Sequence, residues 1–281
     1  MIELLAGTAL AQSPADREVP ALNAQLFRAA AGAGRWWWVD PAGSVADPRL
    51  RAGASVHYTN DPLVYQDPLG ERIGLVADVA QLDLTAAGRI GPLQLGVVAP
   101  AYLLVQGADG TGAGLGDLAV DARFTALEPA PLGLALAGRL ALPTSGVPGL
   151  GAPAPSWELS VVAEGAAGPV RVAANLGTTG GRRIDLENVS LGAGATLRAG
   201  AAWDVGSGAA LTLELAARAP YTAAPSTPGA VAAEWLGGAS TEITPAWTLR
   251  GGAGTGLTSG IGAPDLRVVT GLAWSPAPPA P

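Results

Sequence analysis

Residues 114–144 read GLGDLAVDARFTALEPAPLGLALAGRLALPT, and this stretch states the rule that the rest of the chain repeats. On its first arm Leu118, Val120, Ala122, Phe124 and Ala126 fall on one face, and Asp117, Ala119, Asp121, Arg123 and Thr125 on the other. A period of two is the signature of a strand. On its second arm Leu134, Leu136, Leu140 and Leu142 alternate with Ala135, Ala137, Arg139 and Ala141, after a short link from Glu128 to Pro131 that is rich in breakers. One face is continuously apolar; the other is small and charged. A soluble sandwich shows the same alternation, so the rest of the chain decides which face meets lipid.

Upstream, alternation starts at Leu50, with Leu50, Ala52, Ala54, Val56 and Tyr58 opposed to Arg49, Arg51, Gly53, Ser55 and His57. A long connection from Asn60 to about Ala80 follows, with two Asp-Pro pairs and one helical turn expected around Glu71 to Asp78. Further arms run over 82–90 and 93–103, a glycine-rich loop over 107–114, and, beyond the opening hairpin, arms over 157–164, 170–176, 190–203, 211–218, 231–238, 247–254 and 266–274. This sums to about twelve strands, with short turns after the even arms and long loops after the odd ones. Outer-membrane barrels show that asymmetry, with short turns on the periplasmic side and long loops outside. The expected fold is all-β, a transmembrane antiparallel up-and-down β-barrel over residues 49–275.

Composition points the same way. Of the 281 residues 14% are charged, against about 25% for a soluble protein, so much of the surface does not face water. A net charge of -7 argues against nucleic acid, which calls for a basic stripe. There is no cysteine, hence no disulfide or thiolate metal site. No apolar run is long enough for a spanning helix, which leaves the closed barrel as the membrane option. Residues 1–11, ending LLAGTALA, read as a secretory signal shortened at its start, since Glu3 and no basic residue precede the apolar part. Residues 12–48 are an irregular lead-in carrying Trp36, Trp37 and Trp38, read as packing aromatics and, as a whole, as a plug or periplasmic latch. Residues 276–281, PAPPAP, form a stiff tail.

The non-apolar face reads as a lumen, because Gly, Ala, Ser and Thr with sparse charges of both signs make a poor water-facing surface. By alternation its lining holds Arg49, Arg51, His57, Asp83, Asp117, Asp121, Arg123, Arg139, Glu158, Glu164, Arg171, Arg198, Glu214, Arg218, Glu234, Arg250 and Arg267. Facing Arg and carboxylate groups are expected to pair across the space and narrow it. Aromatics of the apolar face gather near strand ends: Tyr58 and Trp157 at the long-loop end, Phe124, Trp203, Trp247 and Trp274 at the short-turn end, as membrane-interface girdles require. Trp235, nearer mid-strand, departs from that pattern.

Catalysis and cofactors find little support. His57 is the only histidine, so a multi-histidine metal or catalytic cluster is impossible, and no nucleophile motif accompanies it. The glycine-rich stretches at 107–117 and 254–265 open no helix after a buried strand, as a phosphate loop must. Asp61, Asp67, Asp109 and Asp117 lack calcium-loop spacing. The expectation is no enzyme, no cofactor and no metal.

LNAQLFR (22–28), GLGDLAVDARF (114–124), LALPTSG (140–146) and above all GLTSGIGAPDLRVVTGLAW (256–274) resemble the N-terminal barrel region of large OmpA-family outer-membrane proteins of the myxobacterial type. In that family a Pro-rich linker, acidic calcium-binding repeats and a peptidoglycan-gripping domain follow the barrel; the resemblance here implies the barrel alone. The closing RVVTGLAW also resembles the terminal-strand signal of barrels inserted by the barrel assembly machinery. Together these features imply a monomer in the Gram-negative outer membrane, with lipid around it and no nucleic-acid partner. Its role reads as a structural protein or passive pore with a narrow, charge-laced lumen. The alternatives are a substrate-selective channel for small apolar or aromatic molecules and a soluble β-rich surface or adhesin module. The solute is not legible.

Overall fold

The alternation becomes strands β1 (Leu50–Gln66), β2 (Arg72–Ile90), β3 (Leu93–Gly107), β4 (Gly110–Leu115), β5 (Ala119–Leu127), β6 (Leu132–Ala141), β7 (Ser156–Ala167) and β8 (Val170–Gly180). After these come β9 (Ile184–Asp185), β10 (Ser190–Leu191), β11 (Gly194–Gly206), β12 (Ala209–Pro220), β13 (Ala232–Thr244), β14 (Trp247–Gly256) and β15 (Leu266–Trp274). The computed structural model describes residues 22–32, 34–43, 49–66, 72–108, 110–128, 131–186, 190–224, 226–227 and 229–276. The expected signal over 1–11 lies outside them, as do residues 277–281 of the tail.

Twelve strands close into one antiparallel barrel in which each pairs with the next in sequence. The seam is β15 on β1, from Ala52↔Trp274 to Asn60↔Leu266. β4 continues the β3 hairpin beyond the start of β5, and β9 with β10 forms a small separate hairpin. Closure satisfies the edge groups that a membrane could not solvate.

Three details differ from the sequence reading. Of the connection expected over 60–80, residues 60–66 and 72–80 instead extend β1 and β2; Glu71 of the expected helical turn lies outside the described residues. The alternation breaks there because a bulge between Asn60 and Leu63 shifts the register, with Asp61 in the left-handed region at φ 51°. The glycine-rich stretch expected as loop contains β4, whose lack of side chains leaves no period to read. β13 also runs on to Thr244, so the turn falls at Pro245–Ala246 rather than around 240–244. The two-residue turn Ser207–Gly208 between β11 and β12 has φ of 53° and 72°, both left-handed as a type I′ hairpin needs.

The two faces of the wall differ sharply. Leu136 is 57% exposed, Val161 55% and Leu176 66%, while the inward Ala135 and Val162 are buried at 2% and 0%. Leucine, valine and tryptophan so exposed on every strand of a closed barrel make a belt for lipid, far beyond what a water-facing monomer carries. Tyr58, Phe124, Trp157, Trp203 and Trp247 are exposed on that face, and Trp274 is half-buried. Trp235, which the sequence places nearer mid-strand, falls in the first third of β13, toward the long-loop end, because β13 runs on to Thr244, and it gives its indole N–H to Thr255 Oγ1 at 3.0 Å.

Candidate functional site

Residues 22–32 and 34–43 lie inside the barrel. They form no strand, so their backbone groups need partners other than a ladder, and inward side chains of the wall supply them. Glu214 of β12 accepts the amides of Trp37 (2.8 Å), Trp38 (2.9 Å) and Val39 (3.2 Å). Asn175 of β8 holds Asp40 twice, accepting its amide and donating to its carbonyl, each at 2.8 Å. Glu164 of β7 accepts the amide of Ala42 at 2.9 Å, and Thr125 of β5 donates to its carbonyl at 2.8 Å. Arg139 donates to Ala29 O at 2.7 Å, and Arg250 to Gly34 O and Trp36 O at 2.7 and 3.0 Å.

The path can be followed through the lumen. Leu22 and Ala24 stand at the long-loop end, in a buried cluster with Leu63, Val76, Val79, Tyr102, Val105, Val147 and Leu150. Loop residues 147–150 fold in to meet them: Ala24 N donates to Gly149 O at 3.0 Å, and Tyr102 gives its hydroxyl to Leu150 O at 3.1 Å. From there the segment descends to the short-turn end, where Arg35 pairs with Asp204. It turns back through Ala30 N to Trp37 O (2.9 Å) before reaching β1.

Aromatic side chains key the segment into the wall. Trp37 lies under the Arg250 guanidinium at 4.1 Å, and Phe27 under that of Arg267 at 4.8 Å, geometry suited to cation–π attraction. Phe27 also meets Trp38 edge-on, with centroids 5.9 Å apart. Trp36 sits over Gly200, where a Cβ would come within 2.7 Å of its ring, and Ala31 over Gly96, where a Cβ would come within 2.6 Å. Both glycines keep the wall open at a point of close approach.

Charges pair along the wall rather than across an open space. Arg139 and Asp121 are register partners on β5 and β6 and form an ion pair. Glu158 is shared by Arg198, at 2.5 and 2.9 Å, and by Arg28 of the segment. Arg267 grips Glu234 through Nε at 2.5 Å and Nη2 at 3.3 Å, all fully buried. Arg123 reaches Gln94 at 2.6 Å. A cavity of about 20 Å³ lies among these groups, between the segment and β3, β5, β6, β7 and β11. Arg218 is half-buried and donates to Gly192 O at 3.4 Å, and Arg51 is half-buried at the short-turn end. Three residues expected in the lining sit at its ends. Arg49 is exposed at the rim, and Arg171 is 44% exposed with Nε 3.9 Å from Asp204. Asp117 lies between β4 and β5 and ties down the following loop, accepting from Ser145 N at 3.0 Å and Ala152 N at 2.7 Å. Arg28, Asn175, Gln94 and the two keyed glycines escaped the sequence reading; a glycine inside a strand beside inward charges was their one signal.

His57, Asp83 and Thr59 stand in the order of a nucleophile triad. Asp83 Oδ2 is 3.2 Å from His57 Nε2, and Thr59 Oγ1 3.4 Å from Nδ1. Arg267 Nη1 donates to both Nδ1 (3.0 Å) and Thr59 Oγ1 (2.8 Å). The nitrogen that would take the hydroxyl proton is therefore occupied, and Phe27 covers the ring with centroids 4.6 Å apart. The group meets the segment through Phe27.

No protein-family model and no curated protein matches the chain. Solved structures do. An outer-membrane channel from Pseudomonas putida F1 superposes with a TM-score of 0.67 at 15% identity, over 84% of this chain and 99% of that one. The NanC porin gives 0.58 at 8% identity, over 81% of this chain and 100% of that one. The translocator domain of the autotransporter NalP from Neisseria meningitidis gives 0.51 at 9% identity, over 82% and 90%. At such identities the likeness is one of fold. The chain folds as an outer-membrane-type β-barrel.

Proposed function

We propose that the protein is a channel of the Gram-negative outer membrane held closed by its own residues 22–43. The observation that carries this is the Glu214 carboxylate receiving three consecutive backbone amides of the segment. A wall built for open diffusion has no use for a buried carboxylate aimed at a peptide; one built to retain a plug does. Lipid against the apolar belt, insertion by the barrel assembly machinery and a monomeric state belong to the same reading, as does kinship with the barrel region of OmpA-family proteins. The charge-laced lumen thus works as an anchor for the segment more than as a filter. The reading is of transport, not catalysis, since His57 has no free nitrogen for a base. The outward apolar belt does not fit a soluble adhesin module.

A second reading, selective passage of small apolar or aromatic molecules, is favoured by the seats of Phe27, Trp36 and Trp37 and by the apolar cluster at the long-loop mouth. Planar-bilayer recording tests the main proposal. The unaltered chain should be nearly silent. Glu214→Ala leaves three buried donors without an acceptor, at about 1–3 kcal/mol each, and should open steady conductance. A large, stable open pore in the unaltered protein would sink the idea and point to a general porin.

A further inference from the structure

The single histidine stands where the segment meets the wall, and its two ring nitrogens are committed to different partners. A guanidinium only donates, so Nδ1, 3.0 Å from Arg267 Nη1, is an acceptor. The ring proton is then on Nε2, given to Asp83 Oδ2 at 3.2 Å. Phe27 lies against both groups, 4.6 Å from the imidazole and 4.8 Å from the guanidinium carbon. Arg267 Nη2 also reaches Gln25 Oε1 at 3.3 Å. Imidazole and guanidinium together are the seat of residues 25–27.

We propose that His57 is an acid-sensitive latch on the segment: a proton on Nδ1 turns the acceptor that steadies Arg267 into a second donor, and the seat of Gln25 and Phe27 comes apart. The proposal rests on the reading that the segment closes the pore. From β2 the ring faces Asp83, itself held by Gln81 Nε2 at 2.6 Å. From β15 it faces Arg267, and behind that, on β13, Glu234. β1 offers Thr59, and the segment offers only the uncharged Gln25 and Phe27. Tyr102 of β3 gives its hydroxyl to Leu150 O. An imidazolium thus finds Asp83 as its counter-ion, and Thr59 Oγ1 can accept its new N–H only once Arg267 moves away. Arg267 keeps Glu234 throughout. No charge is stranded, so what protonation destroys is the guanidinium–imidazole contact beneath Phe27. An ordinary imidazole changes charge between about pH 5 and 8; with the Arg267 guanidinium 3.0 Å away opposing a second positive charge, the latch answers only at the acid end of that range.

The full chain in detergent or a planar bilayer serves for the test. Backbone hydrogen exchange, corrected for intrinsic rates, is compared at about pH 7.5 and about pH 5; protection of amides 24–28 should fall about tenfold, with a smaller change at Trp37 to Val39. Conductance should rise over the same interval. His57→Gln keeps a group able to accept from Arg267 and donate to Asp83 but does not titrate, and it should lose both steps. An acid step that survives in His57→Gln overturns the latch, and so does exchange at 24–28 that ignores pH in the unaltered protein. Absence of the acid step in the unaltered protein, with Glu214→Ala still opening the pore, condemns the latch and leaves occlusion standing. If Glu214→Ala stays silent, the occlusion reading fails, and exchange at 24–28 alone decides whether His57 holds those residues.

Discussion

The outer and inner faces of the same strands follow different rules. Outside, Leu134, Leu136, Val161, Leu176 and Leu213 need only be apolar, because lipid is a solvent without fixed positions. Inside, Glu158, Glu214, Glu234, Arg250 and Arg267 each answer a named group a few ångströms away. One face is defined by a class of residue and the other by individual partners. Substitution should therefore be cheap outside so long as the class is kept, and costly inside even when size and polarity are nearly preserved.

The sharpest attempt to break this contrast is Glu234→Ala. It strands the Arg267 guanidinium in a fully buried site, and about 3–5 kcal/mol should be lost. Urea unfolding in liposomes measures it, and a loss under about 1 kcal/mol would place Arg267 in water. Next comes the pair Leu136→Arg and Ala137→Arg. The first puts a charge into lipid and should cost about 2–4 kcal/mol of barrel stability. The second overpacks the lumen by about 1–3 kcal/mol and should show itself as conductance, through displacement of the segment, more than as loss of the barrel. Equal damage to refolding from both would mean that the two faces do not differ as described.

A smaller effect is expected at Gly200. Gly200→Val pushes side-chain atoms into the Trp36 ring, and about 1–3 kcal/mol of strain should fall on the segment alone. Quenching of tryptophan fluorescence by a soluble quencher should rise with the barrel's far-UV spectrum unchanged; unaltered quenching would show that Trp36 has room to spare. The smallest effect belongs to the exposed β9–β10 hairpin. There the Ser190 hydroxyl and the Arg183 guanidinium hold the Asp185 carboxyl below the usual carboxylate range. A depressed folded-state value means that the stabilisation is present above the ordinary carboxylate pKa and is lost as pH falls through the lowered one. Amides of the hairpin should thus loosen only in strong acid, well below any step at His57, and hydrogen exchange would register the order.

Legibility divides along the same line. The outer face was readable because lipid imposes a period and nothing else, and a period of two survives in Leu118–Ala126 or Leu134–Leu142 without knowledge of any partner. The closing seam and the strand number followed from it. Where backbone rather than side chains keeps the ladder, as in Gly110–Leu115, the period vanished and the strand was missed; where a bulge shifts the phase, as at Asn60–Leu63, only the extension of β1 was missed. The inner face showed only that charges of both signs point inward. That they pair along the wall and grip residues 22–43 depends on contacts such as Trp37 to Glu214, 177 positions apart, which no local pattern encodes.

The path of the segment constrains assembly. Leu22 stands at one mouth, while the chain joins β1 at the other, so the molecule is a thread passed through a ring. The ring is closed by one seam, β1 on β15, between the first and last strands of the barrel. If that seam zips first, some twenty residues must reptate lengthwise up a narrow bore. If the segment lies down first, the wall curls around it and its Glu214, Asn175 and Glu164 contacts form while the sheet is still open. In the second order the segment serves as a mandrel, setting the girth on which the last hydrogen bonds of the seam are made.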